Sequence, residues 1–182
     1  MKLEYETERL TLRIIEPTTE HARQVLAFYD ENRDVFEPYE PQRPANFYTE
    51  NYQKSLLNCE YNLTVQMKNI RFWVYEKNNF DQPIGTVCFH NITRFVYDRC
   101  EVGYKFDKRF WHLGYAREAL TKGISVMFDE LNLHRIEAFV MERNLPSIHL
   151  LENLGFHYEG TCRQSIRIEN EWKDHMLYAL LK

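Results

Sequence analysis

The order of the predicted strands and helices restricts the fold of this chain more than any other feature. Three predicted strands follow one another with only turns between them: 71–76, 84–92 and 99–107. Strands joined so closely pair in an antiparallel manner. The order then changes to alternating helix and strand, with helix 115–131, strand 134–141, helix 146–154 and closing strands at 156–163 and 172–181. This order predicts a mixed α/β sheet.

The first third of the chain adds one strand and two helices. The predicted elements there are a strand at 9–15, a helix ending near residue 32, a proline-containing structured loop at 33–47 and a helix at 46–68. Thr18 and Thr19 are both suited to cap the first helix, because a threonine oxygen accepts from free N–H groups at a helix start. The chain contains no repeat or linker, so we expect one domain, residues 1–182, with about four flanking helices.

Composition excludes several classes of protein. With 44% hydrophobic residues in 182, the chain is too apolar for intrinsic disorder. A net charge of −4 argues against direct nucleic-acid binding and against binding to an anionic membrane. Its four cysteines form no CxxC pair, and no His/Cys cluster has the spacing of a metal site. Without an apolar signal core or a membrane-length apolar run, we expect a soluble cytoplasmic protein without a metal.

The segment from Glu101 to Glu118 carries the clearest chemical signal. A strand ends near Asp107, a short loop follows, and a helix opens near Gly114. Free N–H groups and the dipole at a helix N-terminus bind anions, and glycine allows close approach of a phosphate. Basic residues surround the turn: Lys108, Arg109 and Arg117. This pattern favours a phosphorylated ligand, while an ordinary turn with a solvated basic rim remains the alternative. Neither GxxxxGK[ST] nor GxGxxG is present.

A second candidate segment extends from Asn144 to Gly160. Asn144 and Ser147 lie where a strand passes into a helix, and both residue types also serve as helix caps. On the sequence alone, a functional role and a helix-capping role are both open for these two residues.

Taken together, these segments resemble the GNAT superfamily of N-acetyltransferases. The stretch WHLGYAREA is similar to the acetyl-CoA signature Q/R-x-x-G-x-G/A, with Trp111 at the first position, Gly114 at the glycine and Ala116 at the last. More narrowly, the chain resembles the ribosomal-protein alanine N-acetyltransferase (RimJ/RimL) branch in seven segments, in order: TERLTLR, EVGY, GYAREAL, HRIEAFV, NLPSIHLLENLGF, EG and the closing W-K-D-x-x-x-Y-x-L-L. Two departures are His112, where the branch often has glycine, and Trp111, which replaces a polar residue.

The resemblance implies a GNAT fold that binds acetyl-CoA as cosubstrate in a V-shaped opening between two splayed parallel strands. These strands would be 101–107 and 135–141. The implied cofactor contacts are Tyr104, Lys105 and Phe106 for the pantetheine arm, Arg109, Trp111, His112, Leu113, Gly114, Tyr115, Ala116 and Arg117 around the pyrophosphate, and Asn144 and Ser147 on the following helix.

The resemblance also implies direct attack of an amine on the thioester, so that no cysteine nucleophile is needed. Many family members protonate the departing thiolate with a tyrosine, and Leu151 stands at that position here. The RimJ/RimL type uses a serine, which matches Ser147. Glu101 is the first candidate for the general base, with Glu159 and His157 as second candidates and an exposed or ion-paired carboxylate as the alternative for Glu101.

The acceptor is predicted to be a primary amine, most simply a protein N-terminal α-amine. An α-amine has a pKa of about 7.8 and a lysine about 10.4, so the α-amine is far more often neutral and needs a weaker base. Tyr39, Glu37 and Glu40 are candidates to receive a cationic amine. A polyamine or aminoglycoside acceptor, a non-catalytic CoA-binding module and, less favoured, another nucleotide-binding protein stay open. Homodimerisation, common in the family, is a further expectation.

Overall fold

The computed structural model describes all 182 residues and contains eight strands and five α-helices. The strands are β1 (Glu4–Glu6), β2 (Leu10–Arg13), β3 (Ile70–Glu76), β4 (Gly85–Thr93), β5 (Arg99–Phe106), β6 (Arg135–Val140), β7 (His157–Ile168) and β8 (Glu171–Leu181). The helices are α1 (Thr19–Glu31), α2 (Arg33–Phe36), α3 (Glu50–Val65), α4 (Tyr115–Ser125) and α5 (Leu145–Asn153).

All eight strands form one sheet in the order β1-β2-β3-β4-β5-β6-β8-β7. Six of its seven neighbouring pairs are antiparallel, and only β5 and β6 run parallel. Helix α4 lies in the connection between β5 and β6, as a parallel crossover requires. The predicted mixed, mostly antiparallel sheet is confirmed.

The parallel pair opens part of the way along its length. Arg99–Glu101 of β5 pair with Arg135–Glu137 of β6, and the pairing ends there. Both strands continue, β5 to Phe106 and β6 to Val140, without bonding to each other. The sheet therefore contains a V-shaped opening whose vertex lies at Glu101 and Glu137.

Side chains of the sheet alternate between two separate cores. On β3, Phe72 and Val74 face a large core shared with α4 and α5, whereas Trp73 and Tyr75 face a smaller, aromatic core shared with α1 and α3. The same alternation on β5 directs one set of side chains toward the α4/α5 face and the other set toward the α1/α3 face. The first set is Val102, Tyr104 and Phe106, and the second is Glu101, Gly103 and Lys105.

The structure corrects four details of the predicted elements. A short strand, β1, precedes the first predicted one, and residues 33–47, predicted as a loop, contain α2 and a 3₁₀ turn at Glu37–Tyr39. The helices therefore number five, against an expectation of about four. The helix predicted over 115–131 is α-helical only to Ser125 and continues as a π-helical turn over Val126–Glu130. The closing hairpin is longer than predicted because β7 reaches Ile168.

Candidate active site

The turn between β5 and α4 presents a row of free N–H groups. His112 and Gly114 both have a positive φ, of 62° and 80°, which turns the chain sharply into α4. Glu118 is the first residue whose N–H bonds back, to the carbonyl of Gly114, at 3.1 Å. The N–H groups of residues 112–117 therefore have no acceptor in the protein. Six successive free donors at a helix N-terminus form an anion site.

Arg9 of the segment before β2 holds this turn from the neighbouring part of the sheet. Its Nη1 donates to the carbonyl of Leu113 at 2.9 Å, and its Nε donates to Oε2 of Glu118 at 2.7 Å. The guanidinium also lies over the ring of Tyr115, with Cζ 4.6 Å from the centroid. Thr7 completes the contact by donating to Glu118 Oε1 at 2.6 Å. Sequence reasoning treated TERLTLR as a motif only, and missed Arg9 as a residue of the site.

The three basic residues of the turn have different surroundings. Arg109 is paired with Asp107 and with Glu31, at 2.5 and 2.8 Å, and the Lys108 ammonium is paired with Asp34. Arg117 is exposed and makes no ion pair. Of the predicted basic rim, Arg117 is therefore the side chain with free charge for a phosphate, while Arg109 and Lys108 stabilise the turn.

Backbone groups on the inner edge of the opening belong to alternate residues of β5. The N–H of Asp107 donates to the carbonyl of Ile84, beside β4, so odd-numbered residues direct their N–H and carbonyl groups toward β4. Even-numbered residues of β5 therefore direct theirs away from β4. Tyr104 and Phe106 therefore present backbone groups to the opening. The indole of Trp111 donates to the carbonyl of Phe106 at 2.7 Å, so this acceptor is already bonded.

On the α4/α5 face, two hydroxyl groups meet beside the opening. Tyr104 of β5 and Ser147 of α5 bond to each other, with 2.6 Å between their oxygens. Burial raises the pKa of Tyr104 to about 12, so the phenol is protonated at neutral pH. Asn144 caps α5, its side chain accepting from the N–H of Ser147 at 3.3 Å. Leu151 lies in the core at 1% exposure.

On the α1/α3 face, Glu101 and His90 stand side by side at the vertex. They are cross-strand partners of β5 and β4, and His90 Nδ1 lies 3.8 Å from Glu101 Oε2. Asn91 donates to Glu101 Oε1 at 3.0 Å. Both side chains line a cavity of about 590 Å³. Sequence reasoning missed His90, although the register of the hairpin 84–92 and 99–107 would have set it opposite Glu101.

The second candidates for the base have other surroundings. Glu159 forms two bonds with the guanidinium of Arg135, one of them at 2.8 Å, which lowers the pKa of its carboxyl. His157 is exposed at the start of β7.

The segment 37–45 crosses the opening on the α1/α3 face. Glu40 forms an ion pair with Lys105 of β5, and the carbonyl of Pro38 accepts from Arg143, just beyond β6, at 2.7 Å. Burial by itself lowers the pKa of Lys105 to about 8, and the Glu40 carboxylate acts against that shift. A second cavity of about 480 Å³ is lined by this segment and the β7–β8 turn, including Glu37, Glu40, Arg43, Tyr48, Glu169 and Asn170.

Two further findings concern metals and membranes. The structure brings together no group of three or more His, Cys, Asp or Glu side chains that could hold a metal ion. None of its helices combines the length and the apolar character that a membrane span needs.

An open parallel strand pair beside a helix start with free N–H groups is the arrangement that the sequence motifs predict for a domain that binds a phosphorylated cosubstrate. The model of the acetyltransferase (GNAT) domain matches residues 9–157, and the chain therefore belongs to the GNAT family of acetyltransferases. The predicted family and the predicted enzyme class are confirmed: the chain is an acetyl-CoA-dependent N-acetyltransferase of GNAT type.

The relatives include ribosomal-protein alanine acetyltransferases, the branch that the sequence motifs indicate. The chain is 36% identical over 160 residues to the probable N-acetyltransferase YjcK of Bacillus subtilis (strain 168), with 88% of each chain covered. It is 30% identical over 179 residues to the ribosomal protein uS5-alanine N-acetyltransferase of Escherichia coli (strain K12), covering 98% of this chain and 91% of that one. The structure of a ribosomal-protein-S5-alanine acetyltransferase from Vibrio fischeri has a TM-score of 0.91 and 33% identity, with 99% and 97% covered.

Proposed function

We propose that this enzyme acetylates the N-terminal α-amine of a protein, with acetyl-CoA as the acetyl donor. The acceptor class is inferred from one observation. Along 98% of its length, the chain is similar to an enzyme named for acetylating an alanine of ribosomal protein uS5. A target on a ribosomal protein is the corresponding finer proposal. The chemistry agrees, because an α-amine is partly neutral at pH 7 and needs only a weak base.

The residues of the turn fit the phosphates of acetyl-CoA. The free N–H groups of 112–117 are donors for the pyrophosphate, and Arg117 adds a free positive charge. The backbone of Tyr104 and the N–H of Phe106 are the partners for the pantetheine amides, since the carbonyl of Phe106 already accepts from Trp111. Lys105 directs its side chain to the other face, toward Glu40, so its part in binding is limited to the backbone. When bound, acetyl-CoA supplies the acetyl group as an activated thioester.

The paired hydroxyls of Ser147 and Tyr104 are the proton source for the departing thiolate. Tyr104 supplies from β5 the phenol that Leu151 cannot supply from α5, and the 2.6 Å bond allows either hydroxyl to replace the proton that the other gives. Asn144 holds the first turn of α5 and thereby the position of Ser147. Glu101, a carboxylate at the vertex on the opposite face of β5, supports deprotonation of the amine.

The α1/α3 face provides a route for a cationic acceptor. Glu37 and Glu169 line the 480 Å³ cavity and have no cationic partner, whereas Glu40 is paired with Lys105 and Arg43. Two carboxylates without a cationic partner attract an ammonium group, and salt screens this attraction. E37Q and E169Q should each raise the KM for a peptide acceptor about threefold, as expected for exposed charges. E171Q is a matched control on the same turn, because Glu171 pairs with Lys173.

A panel of acceptors tests the proposal directly. Short peptides with a free N-terminal alanine should be acetylated, as followed by release of the CoA thiol and by mass spectrometry. The same peptides with a blocked N-terminus and an internal lysine should not react. Faster reaction of a polyamine or an aminoglycoside would overturn the α-amine assignment. Binding of acetyl-CoA without transfer to any amine would favour a non-catalytic module.

The proposed location is the cytoplasm, where a ribosomal protein would be met. All four cysteines are free thiols, which agrees with a reducing compartment.

A further inference from the structure

His90 lies next to the reacting centre, and the proposed function gives it no role. It lies on β4 opposite Glu101, and its Nε2 is 3.8 Å from the point where a Cβ on Gly103 would be. Gly103 is the β5 residue between Glu101 and Lys105 on this face and carries no side chain. The imidazole therefore reaches over bare backbone of β5, just past the vertex of the opening.

Glu101 is oriented toward His90 and not toward the opening. One of its carboxylate oxygens accepts from Asn91 at 3.0 Å, and the other faces Nδ1 of His90 at 3.8 Å. The remaining ring nitrogen, Nε2, is the one that lies over Gly103. The groups therefore follow one another as carboxylate, imidazole and reacting centre. A carboxylate that orients a histidine base has the same arrangement.

We propose that His90, oriented by Glu101, is the general base that takes a proton from the acceptor amine; this deepens the proposed function and rests on it. His90 Nε2 accepts one proton from the R–NH₃⁺ group, and the freed lone pair forms the C–N bond to the acetyl carbon. The C–S bond breaks, and the sulfur takes a proton from the Ser147–Tyr104 pair, which is restored by the second proton that the nitrogen loses. His90 then releases its proton to solvent, so that charge and atoms balance.

The charges around His90 are compatible with a base that is neutral at pH 7. Burial lowers the pKa of the imidazole, Arg71 of β3 lowers it further, and Glu101 raises it. The other charged groups facing the cavity are Lys68, Arg99 and Glu137. Glu137 is already bonded to Arg99 and Arg135, at 3.3 and 2.7 Å, which leaves Glu101 as the carboxylate that acts on His90.

The pH dependence of kcat, measured from pH 5 to 9 at saturating acetyl-CoA and peptide, shows whether His90 or Glu101 is the general base. H90Q should lower kcat by about 10²-fold and remove the acidic limb of its pH profile, since general bases contribute at least that much. E101Q should keep the limb and move it to lower pH by roughly one unit, because a neighbouring anion raises the pKa of a histidine. H134Q, at an exposed histidine outside the cavity, is the matched control and should match the wild type.

A titration that needs no turnover provides the second readout. In the free protein, the NMR-detected pKa of the His90 ring should lie below 6.5 and fall further in E101Q. If H90Q retains its kcat and its acidic limb while E101Q loses the limb, Glu101 is the base and the inference is wrong. If the wild type acetylates no amine, the proposed function fails instead, so the two failures are distinguishable. Unchanged melting temperature and acetyl-CoA binding in H90Q exclude misfolding as the cause of its loss.

Discussion

Single residues at the opening have roles that depend on one hydrogen bond or one backbone angle. Ser147 and Tyr104 share a hydrogen bond, and in the proposed mechanism they act as one proton source, so either substitution should be nearly as damaging as both. We expect S147A and Y104F each to lower kcat by about 10²-fold, with the double variant little worse, because residues that act as a unit are not additive. Steady-state kinetics would check this. Y178F, which removes a phenol bonded to Glu152 at 3.2 Å, should leave kcat unchanged.

Gly114 has a φ of 80°, which a side chain tolerates poorly. G114A should destabilise the fold by about 1–2 kcal/mol and also raise the KM for acetyl-CoA, because the turn carries the free N–H groups. Gly155, with a φ of 86°, provides a control with the same strain outside the turn. G155A should show a similar loss of melting temperature with no change in KM. An equal KM change in both variants would contradict a specific role for the Gly114 turn.

At the scale of elements, α4 begins where it does because another part of the sheet holds its first turn. Arg9 and Thr7 bond to Glu118 and Leu113, so the start of α4 is fixed to the strand β2 region. R9M should raise the KM for acetyl-CoA about tenfold, equivalent to about 1.4 kcal/mol, with kcat little changed. R13M, at the end of β2, removes an ion pair to Glu4 and is the matched control.

A truncated substrate shows whether Arg9 acts on the phosphate-binding turn or on the fold of the whole domain. S-acetylpantetheine has no pyrophosphate, so its KM should be the same for R9M and the wild type. A parallel rise for both substrates would mean that Arg9 supports the whole domain and not the phosphate turn.

At the scale of the whole molecule, ionisable groups predict how stability depends on pH. Burial opposes ionisation of Asp107, but its bonds with Arg109 prevail and lower the pKa of that carboxyl; bonds with Thr7 and Arg9 do the same for Glu118. Below about pH 4 the unfolded chain then binds more protons than the folded one, so stability falls as pH falls. Burial also lowers the pKa of His175, which adds a smaller loss beginning below about pH 6.5.

Thermal melts between pH 3.5 and 8 check this dependence. The wild-type melting temperature should be nearly constant near neutrality and should fall in two stages with acidification. D107N should melt lower than the wild type at pH 7, and the difference should shrink below about pH 4, where Asp107 becomes protonated in the unfolded chain while the folded protein still holds it ionised. A constant difference down to pH 3.5 would show that the carboxylate charge is not the cause.

Local patterns made much of the architecture predictable. Thr18, one of the two predicted candidates, caps α1, and the three strands predicted in series are present as β3, β4 and β5. Element ends were less predictable: α4 ends at Ser125 and passes into a π-helical turn, of which Val126 and Met127 are buried. Residues 33–47 contain helical turns whose partners, such as Lys108, lie far along the chain.

The sequence by itself determined the order of elements, the family and the glycine-containing turn, because these depend on periodicity and on neighbouring residues. Tertiary structure decided which side chains meet. Arg9 reaches Leu113 across 104 residues, and Tyr104 reaches Ser147 across 43. His90 faces Glu101 only because β4 and β5 pair in one particular register. Such contacts arise only when strands pair and open in the folded chain, because packing between distant segments, and not local periodicity, brings these side chains together.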